Sequence, residues 1–158
     1  MTQLKPISNA GWLKDVNDNF AALGSIGTQD GVGSLRVARF TFDTADETNR
    51  PIGAHKTGVK IPAGAVIVDG FMVVDTAFTS ASTNTGTIAI HVKAANDLQA
   101  AAAVSGAPYS TTGNKVLVPD IETIGDYISL TAEGEITCTV AVAALTAGKL
   151  HGYVYFVE

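Results

Sequence analysis

Apolar residues crowd most densely in the middle of the chain. There Val66, Ile67, Val68, Phe71, Met72, Val73 and Val74 lie within GVKIPAGAVIVDGFMVVDTAFTSASTNTGTIAIHVK, residues 58–93. Further on, Ile88, Ile90 and Val92 alternate with Thr87, Ala89 and His91. Successive side chains of a strand point to opposite faces, so a period of two predicts a strand with one buried face. The segment is expected to run as a short strand Thr57–Ile61, a turn at Pro62-Ala63-Gly64, a long strand Ala65–Thr76, a loop of small polar residues and a strand Gly86–Lys93. Gly70, inside the long strand, marks a bulge or a close backbone approach.

The same reading extends in both directions. Leu35–Asp43, LRVARFTFD, alternates with Ala38, Phe40 and Phe42 on one side. AANDLQAAAAVSG is rich in helix formers and predicts a short helix or turn. Lys115–Val118 is a short strand stopped by Pro119. Tyr127–Thr131 and Glu135–Val142 flank Ala132-Glu133-Gly134, a hairpin signal. Thr146-Ala147-Gly148 is expected to turn into a last strand, Lys149–Val157. Along that strand Leu150, Gly152, Val154 and Phe156 face one way and His151, Tyr153, Tyr155 and Val157 the other. About eight strands separated by turn signals, with little helix between them, predict an all-β antiparallel sandwich of jelly-roll type. Its buried set is expected to include Val66, Phe71, Val73, Ile88, Ile90, Ile128, Leu130, Val140, Val154 and Phe156.

Only the first residues switch period. Ser8 or Asn9 can cap a helix over Ala10–Leu23, in which Trp12, Val16, Phe20 and Leu23 recur at helical spacing with Leu13 beside them. Gly24 is a fitting stop, and SIGTQDGVGS follows as a glycine-rich linker. The division is therefore an N-terminal arm, residues 1–34, and a β body, residues 35–158. The helix either packs on its own body or docks on a partner. It holds the chain's one tryptophan, a residue favoured as an interface anchor, so Trp12, Leu13, Val16, Phe20 and Leu23 are the candidate partner-binding residues.

Composition narrows the function classes. The chain has 158 residues and a net charge of -5, with Lys and Arg numbering 10 and forming no basic run. Nucleic-acid binding needs a clustered basic footprint, so that class is not expected. No apolar run approaches the ~20 residues of a membrane span. Charged residues make up 16% of the chain, below the average of about 25%, and small residues supply the rest, which suits a surface that packs on copies of itself. MTQLKPISNAGW has no basic-then-apolar signal sequence, so synthesis and retention in a cytoplasm are expected.

Candidate chemistry is sparse. Cys138 shares its face with Ile136 and Val140 and reads as a small core residue. His55, His91 and His151 sit on separate elements without a second ligand at metal-binding spacing. Asp43, Asp46 and Glu47 lack the alternation and central glycine of a calcium loop and read as a solvated acidic loop. Glu133 and Glu135 read as solvated turn residues. No phosphate-binding loop and no nucleophile elbow occurs. Neither cofactor, metal nor enzymatic activity is expected.

NAGWLKDVNDNFAAL, VKIPAGAVIVDGFMVV with TAFTS, TIAIHVKAANDLQAAAAVSG and LTAGKLHGYVYFVE together resemble small virion proteins of tailed bacteriophages. They look most like head-decoration, head-fibre or minor structural proteins. The resemblance implies a noncatalytic protein made in the host bacterial cytoplasm that assembles on the capsid surface, with the major capsid protein or other virion proteins as partners. A homo-oligomer is expected, a trimer ahead of a pentamer. The competing expectation is a tail-fibre or baseplate module that recognises host-surface glycan, which calls for an exposed aromatic platform among Tyr109, Tyr127, Tyr153 and Tyr155.

Overall fold

The computed structural model describes residues 35–117 and 127–158. Nine strands appear among them: β1 (Leu35–Asp43), β2 (Gly53–Ile61), β3 (Val66–Ser80), β4 (Thr87–His91), β5 (Gln99–Ala103), β6 (Gly113–Val116), β7 (Ile128–Ser129), β8 (Gly134–Ala141) and β9 (Leu145–Val157). One sheet has the order β1-β9-β3-β6, with β7 also pairing to β3, and the other β2-β8-β4-β5. Every pairing is antiparallel.

The pairings are nested. β4 pairs β5, β3 pairs β6, β2 pairs β8 and β1 pairs β9, as in one long hairpin folded over on itself. Rolling that ribbon sends alternate strand pairs to opposite sheets and lets β9 also meet β3 and β8 also meet β4. This is the jelly roll, a sandwich of two Greek keys, and it is the fold class the alternation predicts. The expected arm, residues 1–34, lies outside the described residues, as does Val118.

Four local expectations need correction. Of the alanine-rich stretch, Ala94–Leu98 turns as expected, but Gln99–Ala103 is strand β5, paired to β4, and not helix. Asp97 draws this connection tight: its carboxylate accepts from the backbone N–H of Val92, Lys93 and Ala94 at 2.8–2.9 Å. Leu98 is then buried beneath it, and tertiary pairing overrides the helix preference of alanine. Ala132-Glu133-Gly134 is not a hairpin turn but a crossing between sheets, because β7 pairs β3 while β8 pairs β2 and β4. A Cβ on Gly134 would lie 2.8 Å from Val92, so the glycine serves close packing. Thr146-Ala147-Gly148 lies within β9. The chain turns earlier, at Val142, whose φ is 68° and whose neighbours close an Ala143 N–H to Ala141 carbonyl bond of 2.8 Å.

The fourth correction concerns facing. Val66, Phe71 and Val73 were expected inside, yet they lie half-buried on the outer face, and Ile67, Met72 and Val74 fill the core. A register shift between Ile67 and Asp69, just before Gly70, sets the facing of the strand beyond it. Ile128 is also only half-buried. Ile88, Ile90, Leu130, Val140, Val154 and Phe156 are buried as expected. Cys138 is fully buried, which pushes its thiol pKa up and leaves it a core residue.

Aromatic residues and glycines mesh between the sheets. Phe42 stacks on Phe78 at 6.1 Å, and Tyr109 meets Phe78 edge-on at 5.8 Å. Phe40 packs against Gly152, its register partner on β9, and Phe78 packs against Gly148. A Cβ at Gly152 would fall 2.0 Å from the nearest Phe40 ring carbon, and one at Gly148 would fall 2.1 Å from that of Phe78. Gly152→Ala is therefore expected to cost about 1–3 kcal/mol or more, since a packed core cannot yield that space. Thermal melting should show a drop of several degrees.

Tyr109 is fully buried, and among the described residues its hydroxyl has no hydrogen-bond partner. Burial also drives its pKa upward, so it stays protonated. A buried orphan hydroxyl costs stability, so Tyr109→Phe is expected to gain about 1 kcal/mol and to raise Tm by roughly 2–4 °C. An unchanged or lower Tm would mean that the hydroxyl has found a partner.

Candidate functional site

The two outer faces of the sandwich differ sharply. On the second sheet, register places Lys56, Thr137 and His91 in one row and Ala54, Thr139 and Ala89 in another. Lys56 pairs with Glu135 at 3.0 Å, and Lys60 with Glu133 at 2.7 Å. Small and polar side chains there need no cover, and edge lysines protect β2 against stray pairing.

The outer face of the first sheet is apolar over half its length. Leu35, Val157 and Val66 form one row, Val37, Tyr155 and Asp69 the next, and Arg39, Tyr153, Phe71 and Val116 a third. Phe71 stacks on Tyr153 at 4.7 Å with the rings 14° apart, and Tyr155 lies 6.2 Å from Phe71. The Arg39 guanidinium sits 5.7 Å from the centre of the Tyr153 ring, within cation–π range. Leu35, Val37 and Val116 are 64%, 54% and 72% exposed. Beside Phe71 opens a shallow slot of about 470 Å³, lined by Asp69, Gly70, Phe71, Asn114, Lys115 and Val116.

Beyond Val73 the same face turns polar. His151 Nε2 donates to Asp75 Oδ2 (2.9 Å) and its Nδ1 meets Thr41 Oγ1 (2.7 Å), tying β1, β9 and β3 together. The acidic residues of the following loop are engaged locally. Asp43 meets Lys149 Nζ at 3.1 Å and accepts from the Ala45 N–H at 2.8 Å. Asp46 accepts from Thr48 N–H and Oγ1, and Glu47 lies 3.5 Å from Arg50. Among the described residues, no group of three metal-ligating side chains comes together, and no helix is long and apolar enough to cross a membrane. His55 meets the Pro51 carbonyl at 2.8 Å, far along the chain from the His151 contacts.

Trp12, Leu13, Val16, Phe20 and Leu23, the candidate partner-binding residues, lie outside the described residues. The face around Phe71 and Tyr153 was not among them. Its signal lay in β9, where Tyr153, Tyr155 and Val157 are apolar on the side opposite Val154 and Phe156. A strand apolar on both sides wants cover on both sides.

No family model matches the chain, and no curated protein matches it in sequence. Solved structures do match in fold. A chain of the cyanophage Pam1 capsid asymmetric unit aligns with 82% of this chain and 88% of its own length, at 17% identity and a TM-score of 0.55. A chain from the acid-stable capsid of Helicobacter pylori bacteriophage KHP30 aligns with 80% and 90%, at 14% identity and 0.56. A chain from the capsid of Ralstonia phage GP4 aligns with 83% and 88%, at 16% identity and 0.55. The fold is thus shared with these capsid chains, and high coverage on both sides means that they are close to this chain in length.

The polar end of the face carries a pH dependence. The Ala45 N–H, and after it Lys149, holds the Asp43 carboxyl below its ordinary pKa. A group depressed on folding adds stability that is present above its unfolded pKa, about 3.9, and is lost as pH falls through the lower folded value. Asp43→Asn is expected to be less stable than the parent at neutral pH and to lose less on acidification below about pH 4. Melting curves across that range check this; parallel curves for the two proteins would remove Asp43 from the acid response.

Proposed function

We propose that this chain is a noncatalytic structural protein of a bacteriophage virion, binding the capsid surface as a decoration, cement or head-fibre protein. The observation that carries this reading is the jelly roll shared with chains from three phage capsids of nearly the same length. The described surface fits it: Asp43, Asp46, His55 and His151 are tied into local contacts, and the conspicuous exposed feature is an apolar sheet face suited to contact. Partners would be the major capsid protein or other virion proteins, and the chain would act as a homo-oligomer, a trimer first.

In this reading the arm, residues 1–34, is the attachment element and the body is the displayed part. Trp12, Leu13, Val16, Phe20 and Leu23 cannot remain exposed together in water, since burying each large one is worth roughly 1.5–3 kcal/mol. The glycine-rich segment after them lets the arm leave its body.

The glycan-binding alternative finds less support. Tyr109 is buried, and the Tyr153 ring is flanked by Phe71 and Arg39, so of Tyr109, Tyr127 and Tyr153 the ring left open to a sugar is Tyr127, 39% exposed.

Immunogold labelling of particles should place the protein on heads; label confined to tails would sink the reading. Trp12→Ala with Phe20→Ala in the full chain is expected to reduce binding to undecorated particles by at least about tenfold while leaving the melting temperature of the body unchanged. Full occupancy by that variant would move attachment to the body.

A further inference from the structure

We infer that the outer face of the first sheet is the interface between copies of this chain, the β1 flank of one copy packing on the β3–β6 flank of the next. The inference rests on the homo-oligomer reading above and names the surface that reading lacks.

The face is built for cover. Its apolar half joins Leu35 and Val37 on β1 to Tyr153, Tyr155 and Val157 on β9 and to Phe71 on β3, with Val116 at the far edge. Contiguous exposed apolar surface of this kind marks interaction sites. The other outer face, of threonine, alanine and lysine, shows that this sequence makes a solvated sheet face where it needs one. The difference lies between two sheets of one body, so composition alone does not cause it.

Charge and shape select a second copy as the occupant. The two flanks are complementary to each other. On the β1 flank, Arg39 is exposed beside Val37, its guanidinium 5.7 Å from the centre of the Tyr153 ring. On the β3–β6 flank, the exposed Asp69 and the ring of Phe71 line the slot of about 470 Å³. A carboxylate beside an aromatic ring suits a guanidinium, which pairs with the one and stacks on the other. Val37 would then meet Val116. Lys115 also lines the slot, but its Nζ is turned to Thr111 Oγ1 at 2.8 Å. Because β9 lies between the two flanks, Arg39 and Asp69 of one copy are separated by a strand, and their pairing is between copies.

A surface whose left half fits its own right half closes into a ring, as in a cyclic trimer, or pairs about a two-fold axis. The contact is made through side chains on the face of the sheet, although β1 and β6 are its outer strands, so it differs from edge-to-edge sheet extension. The charged end, with Asp75, His151 and Lys149, would form the polar rim of the contact.

The full-length chain is the material for the test, measured by light scattering and sedimentation across micromolar concentrations. The parent should be one defined oligomer. Val37→Glu and Val116→Glu, both at exposed positions, should each weaken association by about tenfold or more while the body stays folded by circular dichroism. Ala54→Glu, on the other sheet face, should leave the oligomer intact. Arg39→Asp and Asp69→Arg should each dissociate it, and the two combined should restore it. A monomeric parent overturns the inference, as does an oligomer that survives Val37→Glu and Val116→Glu. Particle binding, scored separately, keeps the two readings apart. An intact oligomer of Val37→Glu that no longer binds particles would give this face to the shell, whereas an intact oligomer that binds normally would refute only the interface.

Discussion

The roll closes when β9 settles between β1 and β3. This last strand pairs along nearly its whole length with the first strand of the body and with the longest. Without it β1 has no partner and β3 is left with only the short strands β6 and β7. Its contact with β1 joins residues more than a hundred positions apart, for example Thr41 and His151. Loop-closure entropy is spent before such pairing rewards it, so folds of this kind assemble slowly and cooperatively. The core follows from that closure, because Phe40 and Phe78 find their glycine seats only on β9.

Much of this was legible in the chain. The alternation in Leu35–Asp43 gave β1 to the residue, and the alternation after Glu135 and Lys149 located β8 and β9. Legibility ended where local and non-local preferences part. Five residues of QAAAA carry a strong helical preference, and only pairing with β4 makes them a strand. Ala132-Glu133-Gly134 has the residues of a hairpin turn, and nothing local tells a turn within one sheet from a crossing between two. The facing of β3 was lost for a different reason. That run is apolar on both sides, so alternation gives no phase, and the register shift before Asp69 leaves no mark in the residue types.

The same double-sided apolarity connects fold to function. A sheet face that must meet only water is cheaply made from threonine, alanine and lysine, and this chain does so on one side. On the other side it keeps three aromatic rings and a row of valines at the surface. The candidate site was therefore partly visible, as the two-faced pattern of β9. The arrangement of Arg39, Asp69 and Val116 around it was not, since these residues come from three other strands whose order only the nested pairing fixes.

The seating of Phe40 on Gly152 also bears on how this sequence can drift. Neither position can change alone: a side chain at 152 has nowhere to go under the ring, and a smaller residue at 40 leaves a void above bare backbone. The two should therefore vary as a pair, a shrunken residue on β1 accompanying alanine or serine on β9. Related chains would then record the closing strand as a correlated exchange between positions far apart in sequence, even where overall identity has fallen too low to align them by residue type.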